Sequence, residues 1–378
     1  MARAKMLISL HKEIPMSVST QCYDFEIPPE RVAAHPRPKA SQLLLTYTKA
    51  TGEINHSTFS RLGAFLHPGD VMVFNDSKVL PAKVHLCGEK WSGQFLILLR
   101  PYAFPDEQCL LLKEVQVISS AQRFEPGSIL PLMGGAQFAV QGVIQSAEEY
   151  THYRGVLHFP EAKPTTLEAY LNTWGELPLP PYLNRPTLPQ DRQDYQTSYA
   201  SHPGSIAAPT AGLHFSPALL HHLALAEIEL LRVTLHIGYG TFRAFSTATV
   251  EEHHMDPEHY SVSKETALSL WRALREGRRV IAVGTTSART LETVADTLCS
   301  DVAPSGDLVG ESRLFIYPPF TFRVLSGLIT NFHYPRTSVL ALTAAMCGGR
   351  DILIDTIYQE ALRRDYLWFS YGDAMLIY

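Results

Sequence analysis

The spacing of hydrophobic positions divides the chain into two kinds of segment. After about residue 205, short apolar runs alternate with stretches in which apolar residues recur every three or four positions, the spacings of strands and helices. We predict strands at 229–237, 280–283 and 314–317, and helices at 217–226, 264–276, 286–298, 338–347 and 352–364. With further strands at 43–47 and 71–74, this alternation predicts a mixed or parallel sheet covered on both faces.

Residues 77–160 have a different pattern, in which short β-type runs are separated by proline and glycine. The runs lie at 82–87, 94–99, 109–117, 138–144 and 155–159. Closely spaced short strands with turn residues between them are typical of a small antiparallel barrel. We therefore predict a mixed-sheet α/β domain of residues 1–76 and 161–378, with an inserted β-barrel domain at 77–160. The proline-rich stretch within 165–205 is either a linker that re-enters the first domain or an ordered functional loop.

Composition narrows the class of protein. A mean hydropathy of −0.03 and the lack of a long apolar run argue against a membrane span. The five cysteines lie far apart and form no CxxC pair, which argues against a disulfide framework or a structural zinc site. The apolar stretch at residues 6–10 is too short for a secretory signal, so we interpret the first residues as an extension or edge element of a cytoplasmic protein.

The formal net charge of −5 bears on nucleic-acid binding. Proteins that coat nucleic acid without specificity are normally basic, because neutralising phosphates supplies most of that affinity. The negative net charge therefore argues mildly against nucleic-acid binding, but it does not exclude a local basic patch. Two candidate patches are Arg31, Arg37 and Lys39, or Arg272, Arg275, Arg278 and Arg279. The second patch is equally consistent with a solvated helix face.

The clearest candidate for chemistry follows the predicted strand at 280–283. That strand ends in Gly284, three hydroxyl residues follow, and Arg289 lies in the first part of the predicted helix. The hydroxyl residues are Thr285, Thr286 and Ser287. A helix N-terminus attracts anions, and a guanidinium can bind a carboxylate at two points. An ordinary capped turn between strand and helix is the alternative.

Two histidines lie in short, unusual contexts. His214 ends the segment AAPTAGLHF beside Thr210, and His236 precedes a Gly-x-Gly at 238–240. An imidazole titrates near neutral pH and suits a general base, but a lone histidine is more often a hydrogen-bonded structural residue. The Gly-x-Gly lacks the third glycine and the helix of a dinucleotide-binding loop. The acidic and histidine-rich stretch at 251–259 matches no metal-ligand spacing, so we expect a solvated loop.

Polar residues also stand among aromatic ones near the end of the chain. Asn331 and His333 lie in the segment TNFHY, and Tyr371 and Asp373 lie in FSYGDAML. Aromatic faces beside amide, imidazole and carboxylate groups suit a planar heterocycle such as a nucleobase. A hydrogen-bonded core edge would carry the same residues.

Taken together, these segments resemble the S-adenosylmethionine:tRNA ribosyltransferase-isomerase family. The resemblance runs from about Tyr23 to the C-terminus and rests on AAPTAGLHF, AVGTTSARTLE, TNFH and FSYGDAML in this order. Shorter matching pieces include the segment 75–82, LPPY at 179–182 and YQT at 195–197. The chain departs from the family pattern at Gln42, Ser77, Lys78, Asp256, Pro319 and Phe320.

The resemblance implies a reaction. The ribosyl part of S-adenosylmethionine moves to the aminomethyl group of a 7-deazaguanine in the wobble position of tRNA, and adenine and methionine leave. The sulfonium acidifies the adjacent 5′ carbon, and a base removes its proton. S-adenosylmethionine is consumed, so neither a metal nor a bound cofactor is expected. We expect a cytoplasmic monomer whose partners are tRNA and S-adenosylmethionine, with no membrane.

The resemblance also implies roles for individual residues. His214 is our first choice for the base and His333 the alternative, and Asp76 is a further catalytic candidate. The methionine carboxylate or a phosphate would be held by Thr285, Thr286, Ser287 and Arg289. Asn331 and Asp373 would contact adenine or the deazaguanine, with Thr210, His236 and Tyr371 as further substrate contacts. Lys78, Arg37 and Lys39 would contact tRNA. Two rival functions are a methyltransferase with the same donor and a non-catalytic RNA-binding module.

Overall fold

A computed structural model describes residues 17–99, 112–119, 123–146, 150–159 and 166–378. The predicted N-terminal extension at residues 1–16 lies outside the described residues. The first nine strands are β1 (Leu43–Thr48), β2 (Glu53–Thr58), β3 (Val71–Asn75), β4 (Ser77–Val79), β5 (Lys83–His85), β6 (Phe95–Leu99), β7 (Leu112–Ser119), β8 (Ile129–Pro131) and β9 (Gln137–Ser146). The next nine are β10 (Thr151–His158), β11 (Gly175–Glu176), β12 (His202–Ser205), β13 (Glu229–Leu235), β14 (Glu258–Val262), β15 (Val280–Val283), β16 (Leu308–Ser312), β17 (Gly327–Asn331) and β18 (Ala374–Ile377).

The helices are concentrated in the second half of the chain. They are α1 (Leu167–Trp174), α2 (Asp191–Asp194), α3 (Pro217–Leu225), α4 (Lys264–Arg275), α5 (Thr285–Thr293), α6 (Ala295–Leu298), α7 (Ser338–Cys347) and α8 (Gln359–Arg363). A π-helical stretch, Ile352–Tyr358, precedes α8. Two 3₁₀ segments also matter for the site, Phe59–Phe65 and Thr210–His214.

A nine-stranded mixed sheet forms the larger part of the fold, in the order β16-β14-β13-β3-β15-β17-β18-β1-β2. Its four central strands, β13, β3, β15 and β17, are parallel. This confirms the predicted mixed-sheet α/β class. One face packs against α4, α5 and α7, and the other against α3 and the two 3₁₀ segments. The central strands are apolar along their length because both of their faces are covered.

Two local predictions on this sheet were wrong. The apolar run 314–317 is not a strand: β16 ends before it, at Ser312, and Leu314, Phe315 and Ile316 line a cavity with residues of α5 and α7. The single helix predicted at 286–298 is interrupted at Val294, which separates α5 from α6.

A second, curled antiparallel sheet has its own hydrophobic core, in the order β11-β5-β6-β7-β10-β9-β8. In the described part of the chain, no continuous sheet runs through both Leu96 and Val283, because Leu96 lies in this sheet and Val283 in the large one. This separation agrees with an inserted barrel-like unit. The second core also takes Leu167, Tyr170 and Leu171 of α1, so this unit extends past residue 160. Between the sheets, β4 and β12 pair as a short parallel ribbon.

The strand directions bring one set of ends to a single edge of the large sheet. The parallel strands β13, β3, β15 and β17 end there. β14 runs antiparallel to β13, β18 runs antiparallel to β17, and β1 runs parallel to β18, so these three strands begin at the same edge. We call this the polar edge. Ligands of open α/β sheets usually bind at the carboxyl ends of parallel strands.

Candidate functional site

The end of β3 is held at the polar edge by the side chain of Asn75, which is buried. Its Oδ1 accepts hydrogen bonds from the backbone N–H groups of Leu235 (3.0 Å) and Ser77 (3.1 Å). Its Nδ2 donates to the carbonyl of Leu235 (2.9 Å) and to Oγ1 of Thr286 (3.1 Å). One amide therefore fixes the ends of β3 and β13 against the start of α5. Asn75 was not among the site residues predicted from sequence, although its place at the end of a predicted buried strand is a signal for it.

Helix α5 begins at the polar edge without a side-chain cap. Gly284 is the N-cap residue at φ +86°, a conformation that favours glycine. Neither Thr285 nor Thr286 caps the helix, and Ser287 donates its hydroxyl to the carbonyl of Val283 (2.8 Å). The alternative of an ordinary side-chain-capped turn is therefore not what the structure has. The first N–H groups of α5 keep the partial positive charge of a helix N-terminus.

Arg289 lies within α5 and forms a buried ion pair with Glu258 at the start of β14. Its Nε also donates to the carbonyl of Leu314 (3.2 Å). Glu258 in turn accepts a hydrogen bond from the N–H of Gly238 (2.8 Å). The Nη2 atom of Arg289 is buried and has no hydrogen-bond partner among the described residues. The guanidinium is thus neutralised at one end by Glu258 and has an unused donor at the other.

A small cavity adjoins this arginine. Its polar lining consists of Arg289, Thr285, Thr286, Thr241 and Ser338. The apolar lining includes Met255, Leu314, Phe315, Ile316, Val339 and Leu342. Its volume of about 10 Å³ admits roughly one water-sized group. The cavity can therefore take the end of a ligand but not a whole nucleoside.

His214 lies in a chain of side-chain hydrogen bonds. Its Nδ1 is 2.9 Å from Oε1 of Gln42, and its Nε2 is 3.2 Å from Nδ2 of Asn331. Thr210 donates to Oδ1 of Asn331 (2.9 Å). The amide oxygen of Gln42 can only accept, so His214 carries its proton on Nδ1 and accepts at Nε2. Both ring nitrogens are thus occupied, and the ring stacks on Phe59.

Burial lowers the pKa of His214 to about 3, with a further contribution from the charges of Lys39 and Arg37. The ring is therefore neutral at physiological pH. Gln42, one of the departures from the family pattern, was not selected as a site residue. No sequence signal links it to His214, because 172 positions separate the two.

His333 has a more open arrangement. Its Nε2 is 2.7 Å from the hydroxyl of Thr330, and its backbone N–H donates to the hydroxyl of Tyr358 (3.0 Å). Its Nδ1 has no hydrogen bond to the described residues. The residue as a whole is half-buried, and burial lowers the pKa of its ring to about 3. His333 therefore offers a neutral ring with one nitrogen that is not already engaged by the protein.

Asp76 forms a second polar cluster after β3. Its Oδ1 accepts from the hydroxyl of Thr234 (2.7 Å), and its Oδ2 accepts from Ser201 (3.1 Å) and lies 3.2 Å from Nδ1 of His202. The side chain of His202 is 62% exposed, so a carboxylate orients an imidazole that reaches solvent. His202 was not predicted from sequence, since only the folded chain brings it to Asp76.

His236 also lies near this cluster and stacks on His259, with 5.9 Å between ring centres. Burial lowers the pKa of His236 to about 4, assisted by the charges of His259 and His202. His259 and Glu258 belong to β14, so the stretch predicted as a solvated loop is partly a strand. That prediction was wrong for its last residues, because β14 pairs with β13 and buries Glu258.

Two other predicted site residues are buried, and their side chains are bonded to other residues of the chain. Asp373 is fully buried, pairs with Arg37, and accepts from the N–H groups of Leu43 (2.6 Å) and Leu367 (2.8 Å). Burial raises its pKa, opposed by those hydrogen bonds and by Arg37. Tyr371 is buried and its hydroxyl is 3.4 Å from Asp191.

The two predicted lysine contacts differ in their surroundings. The ammonium group of Lys39 donates to the carbonyl of Leu213, and burial lowers its pKa. Lys78 lies on β4, is half-buried, and has no ion-pair partner among the described residues. Lys78 is therefore the freer cation of the two.

The arginine patch of α4 lies at the opposite end of the sheet. Arg279 pairs with Asp70, and Arg278 pairs with Glu229. Asp70, Arg279 and Glu229 stand at the amino ends of β3, β15 and β13. Arg31 and Arg37 are also paired, with Asp365 and Asp373, so position decides between the two candidates. Asp373 directly precedes the start of β18 at the polar edge, so the patch at Arg31, Arg37 and Lys39 is the better placed.

Three aromatic rings from separate segments meet beside the polar edge. Tyr182 packs on Phe369 with 4.4 Å between ring centres, and Tyr334 lies 5.5 Å from Phe369. The hydroxyl of Tyr182 is 2.7 Å from that of Ser370. Phe369 has φ +72°, which is unusual for a bulky residue and is often found at functional sites. The proline-rich stretch that carries Tyr182 is thus ordered against the site.

Comparisons with known proteins place these features in a family. A family model described as a queuosine biosynthesis protein matches residues 20–377. An S-adenosylmethionine:tRNA ribosyltransferase-isomerase of Heliobacterium modesticaldum is 40% identical over 360 residues, covering 94% of this chain and 98% of that protein. A protein of the same name from Desulfitobacterium hafniense is 38% identical over 368 residues, with the same two coverages.

A solved structure of the same family shares the fold of this chain. The crystal structure of an S-adenosylmethionine tRNA ribosyltransferase from Thermotoga maritima matches with a TM-score of 0.51 and 29% identity. The match covers 94% of this chain and all of that one. Within the described part of the chain, no helix is both long enough and apolar enough to cross a membrane.

Proposed function

Because this chain belongs to the queuosine biosynthesis protein family, we propose that it is an S-adenosylmethionine:tRNA ribosyltransferase-isomerase. It transfers the ribosyl moiety of S-adenosylmethionine to 7-aminomethyl-7-deazaguanine at the wobble position of tRNA and isomerises it. The products are epoxyqueuosine-tRNA, adenine and methionine. The observation that carries this proposal is the match over nearly the whole chain, with the matching motifs collected at one edge of the large sheet.

We assign the methionine end of the substrate to the start of α5. A carboxylate there would meet the partial positive charge of the helix N-terminus and the unpartnered Nη2 of Arg289. Thr285 and Thr286 line the same small cavity. The ion pair with Glu258 fixes the direction of the guanidinium, so the second amino group is held in place before the ligand arrives. Ser287 supports the turn from within.

We assign proton removal from the 5′ carbon to His333 in preference to His214. Both rings are neutral at physiological pH, but of the two only His333 has a ring nitrogen without a hydrogen bond to the described part of the chain. His214 is better suited to positioning Asn331, because its two nitrogens join Gln42 to that amide. Asn331 and Thr210 would then present polar atoms to a heterocycle. Asp76, oriented with His202, is a second candidate for proton transfer.

The chemistry of the substrate supports further expectations. S-adenosylmethionine supplies both the ribosyl carbon framework and its leaving groups, so we propose that no metal or resident cofactor takes part. We also propose that the protein acts in the cytoplasm, where tRNA is found, and that it is a monomer.

The reaction is tested by following both small products. We expect adenine and methionine to appear together, in equal amounts, when the protein meets S-adenosylmethionine and RNA that carries 7-aminomethyl-7-deazaguanine. The matched control is the same RNA with guanine at that position, which should release neither. Methylated RNA with no free adenine would indicate a methyltransferase instead. RNA binding without turnover would indicate a binding module.

Binding of tRNA is expected to weaken as salt rises. The net charge is −5, so the affinity must come from local cations, and each phosphate contact adds to the salt dependence. We expect Lys78→Ala to lower the affinity and reduce the slope of log affinity against log salt by about one. Arg279→Ala, at the opposite end of the sheet, is the control and should leave that slope unchanged. An affinity that is constant between low and physiological salt contradicts the electrostatic model.

A further inference from the structure

A groove of about 480 Å³ lies between the second sheet and the proline-rich stretch. One wall comes from the second sheet and its neighbour Tyr150, and the other from residues 178–181 and 184–187. Tyr239 lines the same groove. The size is that of a pocket for a nucleotide-sized ligand, and it is far larger than the cavity beside Arg289.

The groove adjoins the polar edge at two places. Tyr239 and Thr241 belong to one 3₁₀ turn, Tyr239–Phe242, and Tyr239 lines the groove while Thr241 lines the small cavity. On the other side, Pro181 lines the groove and the next residue, Tyr182, packs on Phe369. Short stretches of chain therefore join the groove to the small cavity beside Arg289 and to the aromatic rings around Phe369.

The lining has the chemistry that recognises an unstacked nucleobase. Tyr150 and Tyr239 place two aromatic rings in the groove, with centres 6.1 Å apart and planes at 66°, and Phe95 adds a third. Lys83 also lines the groove and lies over the ring of Phe95, at 4.4 Å from its centre. Proteins bind the single-stranded loops of RNA by stacking splayed bases on aromatic rings and by reading the edges of those bases with polar groups.

Asn184 supplies such a polar group. It lines the groove, is exposed, and its side-chain amide has no hydrogen bond to the described residues. Its backbone has φ +45°, and the next residue, Arg185, is anchored by Asp191 (2.6 and 2.8 Å) and by the carbonyl of Ala34 (2.8 Å). The amide is thus presented on a fixed piece of chain, and an amide can both donate to and accept from a base edge.

We propose that this groove holds an anticodon-loop nucleotide next to the reacting wobble base, with Asn184 reading its edge and Tyr150 and Tyr239 contacting its ring. The inference rests on the proposed function, since it names where the RNA partner of that same site lies. The rival occupant is S-adenosylmethionine. The carboxylate of that substrate has a better partner in Arg289, and the groove is open, as a site for part of a macromolecule must be.

The test uses the full-length protein, a synthetic anticodon stem–loop carrying 7-aminomethyl-7-deazaguanine, and S-adenosylmethionine. Asn184→Ala is expected to raise the KM for the stem–loop about tenfold, equivalent to roughly 1.4 kcal/mol, with the KM for S-adenosylmethionine unchanged. Tyr150→Ala should act in the same direction. Asn172→Ala, an exposed asparagine on α1, is the matched control and should change neither constant.

Changing the neighbouring loop bases one at a time gives the decisive measurement. The wild-type protein should discriminate among bases at one position beside the wobble base, and Asn184→Ala should lose that discrimination. A raised KM for S-adenosylmethionine with an unchanged KM for RNA would assign the groove to the small substrate and overturn the proposal. Unchanged constants for both substrates would also overturn it.

Binding of the stem–loop, measured by fluorescence anisotropy without turnover, separates this inference from the reaction itself. If the wild-type protein releases no adenine, the proposed function fails, and a weaker stem–loop affinity of Asn184→Ala still supports the groove as an RNA site. An equal affinity of the two proteins for the stem–loop counts against the groove.

Discussion

His333→Ala is expected to slow removal of the 5′ proton of S-adenosylmethionine by about 10²–10⁴-fold, the usual loss for a general base. Its Nδ1 has no partner among the described residues, and Thr330 holds the other side of the ring. Both substrates should still bind, because the ring makes no ion pair and its removal leaves no buried charge. The measurement is single-turnover adenine release together with exchange of solvent deuterium into the 5′ position.

The pH dependence gives a second measurement of the same assignment. Burial lowers the pKa of His333 to about 3, so the ring is already unprotonated throughout the neutral range. The rate of proton removal should therefore show no inflection near pH 6.5, where an exposed histidine titrates. A ring with so low a pKa is a weak proton acceptor, which makes the reaction depend on acidification of the carbon by the sulfonium.

Two further variants decide between the histidines. His214→Ala should lower the rate through misplacement of Asn331, and His214→Asn should recover part of it if its amide replaces one of the two hydrogen bonds. The control is His56→Ala. His56 is a partly buried histidine on strand β2 that is hydrogen-bonded to the hydroxyl of Tyr366. If His214→Ala abolishes deuterium exchange and His333→Ala does not, the two roles are exchanged. If both variants keep exchange, the base is a carboxylate such as Asp76.

The second large effect is expected at Arg289, where stability and binding can be separated. Arg289→Ala leaves Glu258 buried without its partner, and breaking a buried pair in this way typically costs about 3–5 kcal/mol of unfolding free energy. Arg289→Lys keeps a positive charge beside Glu258 but removes the second amino group. We expect Arg289→Lys to raise the KM for S-adenosylmethionine about tenfold or more, the loss of one charge-assisted hydrogen bond.

Arg279→Lys is a matched control for this substitution. Arg279 also pairs with a buried carboxylate, Asp70, but at the opposite end of the sheet. It should lose some stability without any change in the KM for S-adenosylmethionine. The measurements are chemical denaturation and initial rates at saturating RNA. If Arg289→Lys leaves the KM at the wild-type value while both lysine variants lose stability equally, then Arg289 serves only the fold.

The sequence by itself determined the elements whose signals are local. The predicted strand at 280–283 and the helix at 338–347 have the observed bounds of β15 and α7. Each has a clear pattern: an unbroken apolar run, and a long apolar segment whose N-cap, Thr337, bonds the N–H of Leu340. The motif order was also sufficient to identify the family, because long specific segments do not depend on how the chain folds.

Only the tertiary structure decided the strands at the edge of the large sheet and the partners of the site residues. β14 and β16 are short and carry no clear alternating pattern. β14 is a strand because β13 offers an edge with which to pair, and β16 then pairs with the free edge of β14. Glu258 and Arg289 lie 31 positions apart, and His214 and Gln42 lie 172 apart. Sequence can supply a charge or an imidazole, but whether a ring nitrogen is free or already bonded depends on which distant side chain the fold brings beside it.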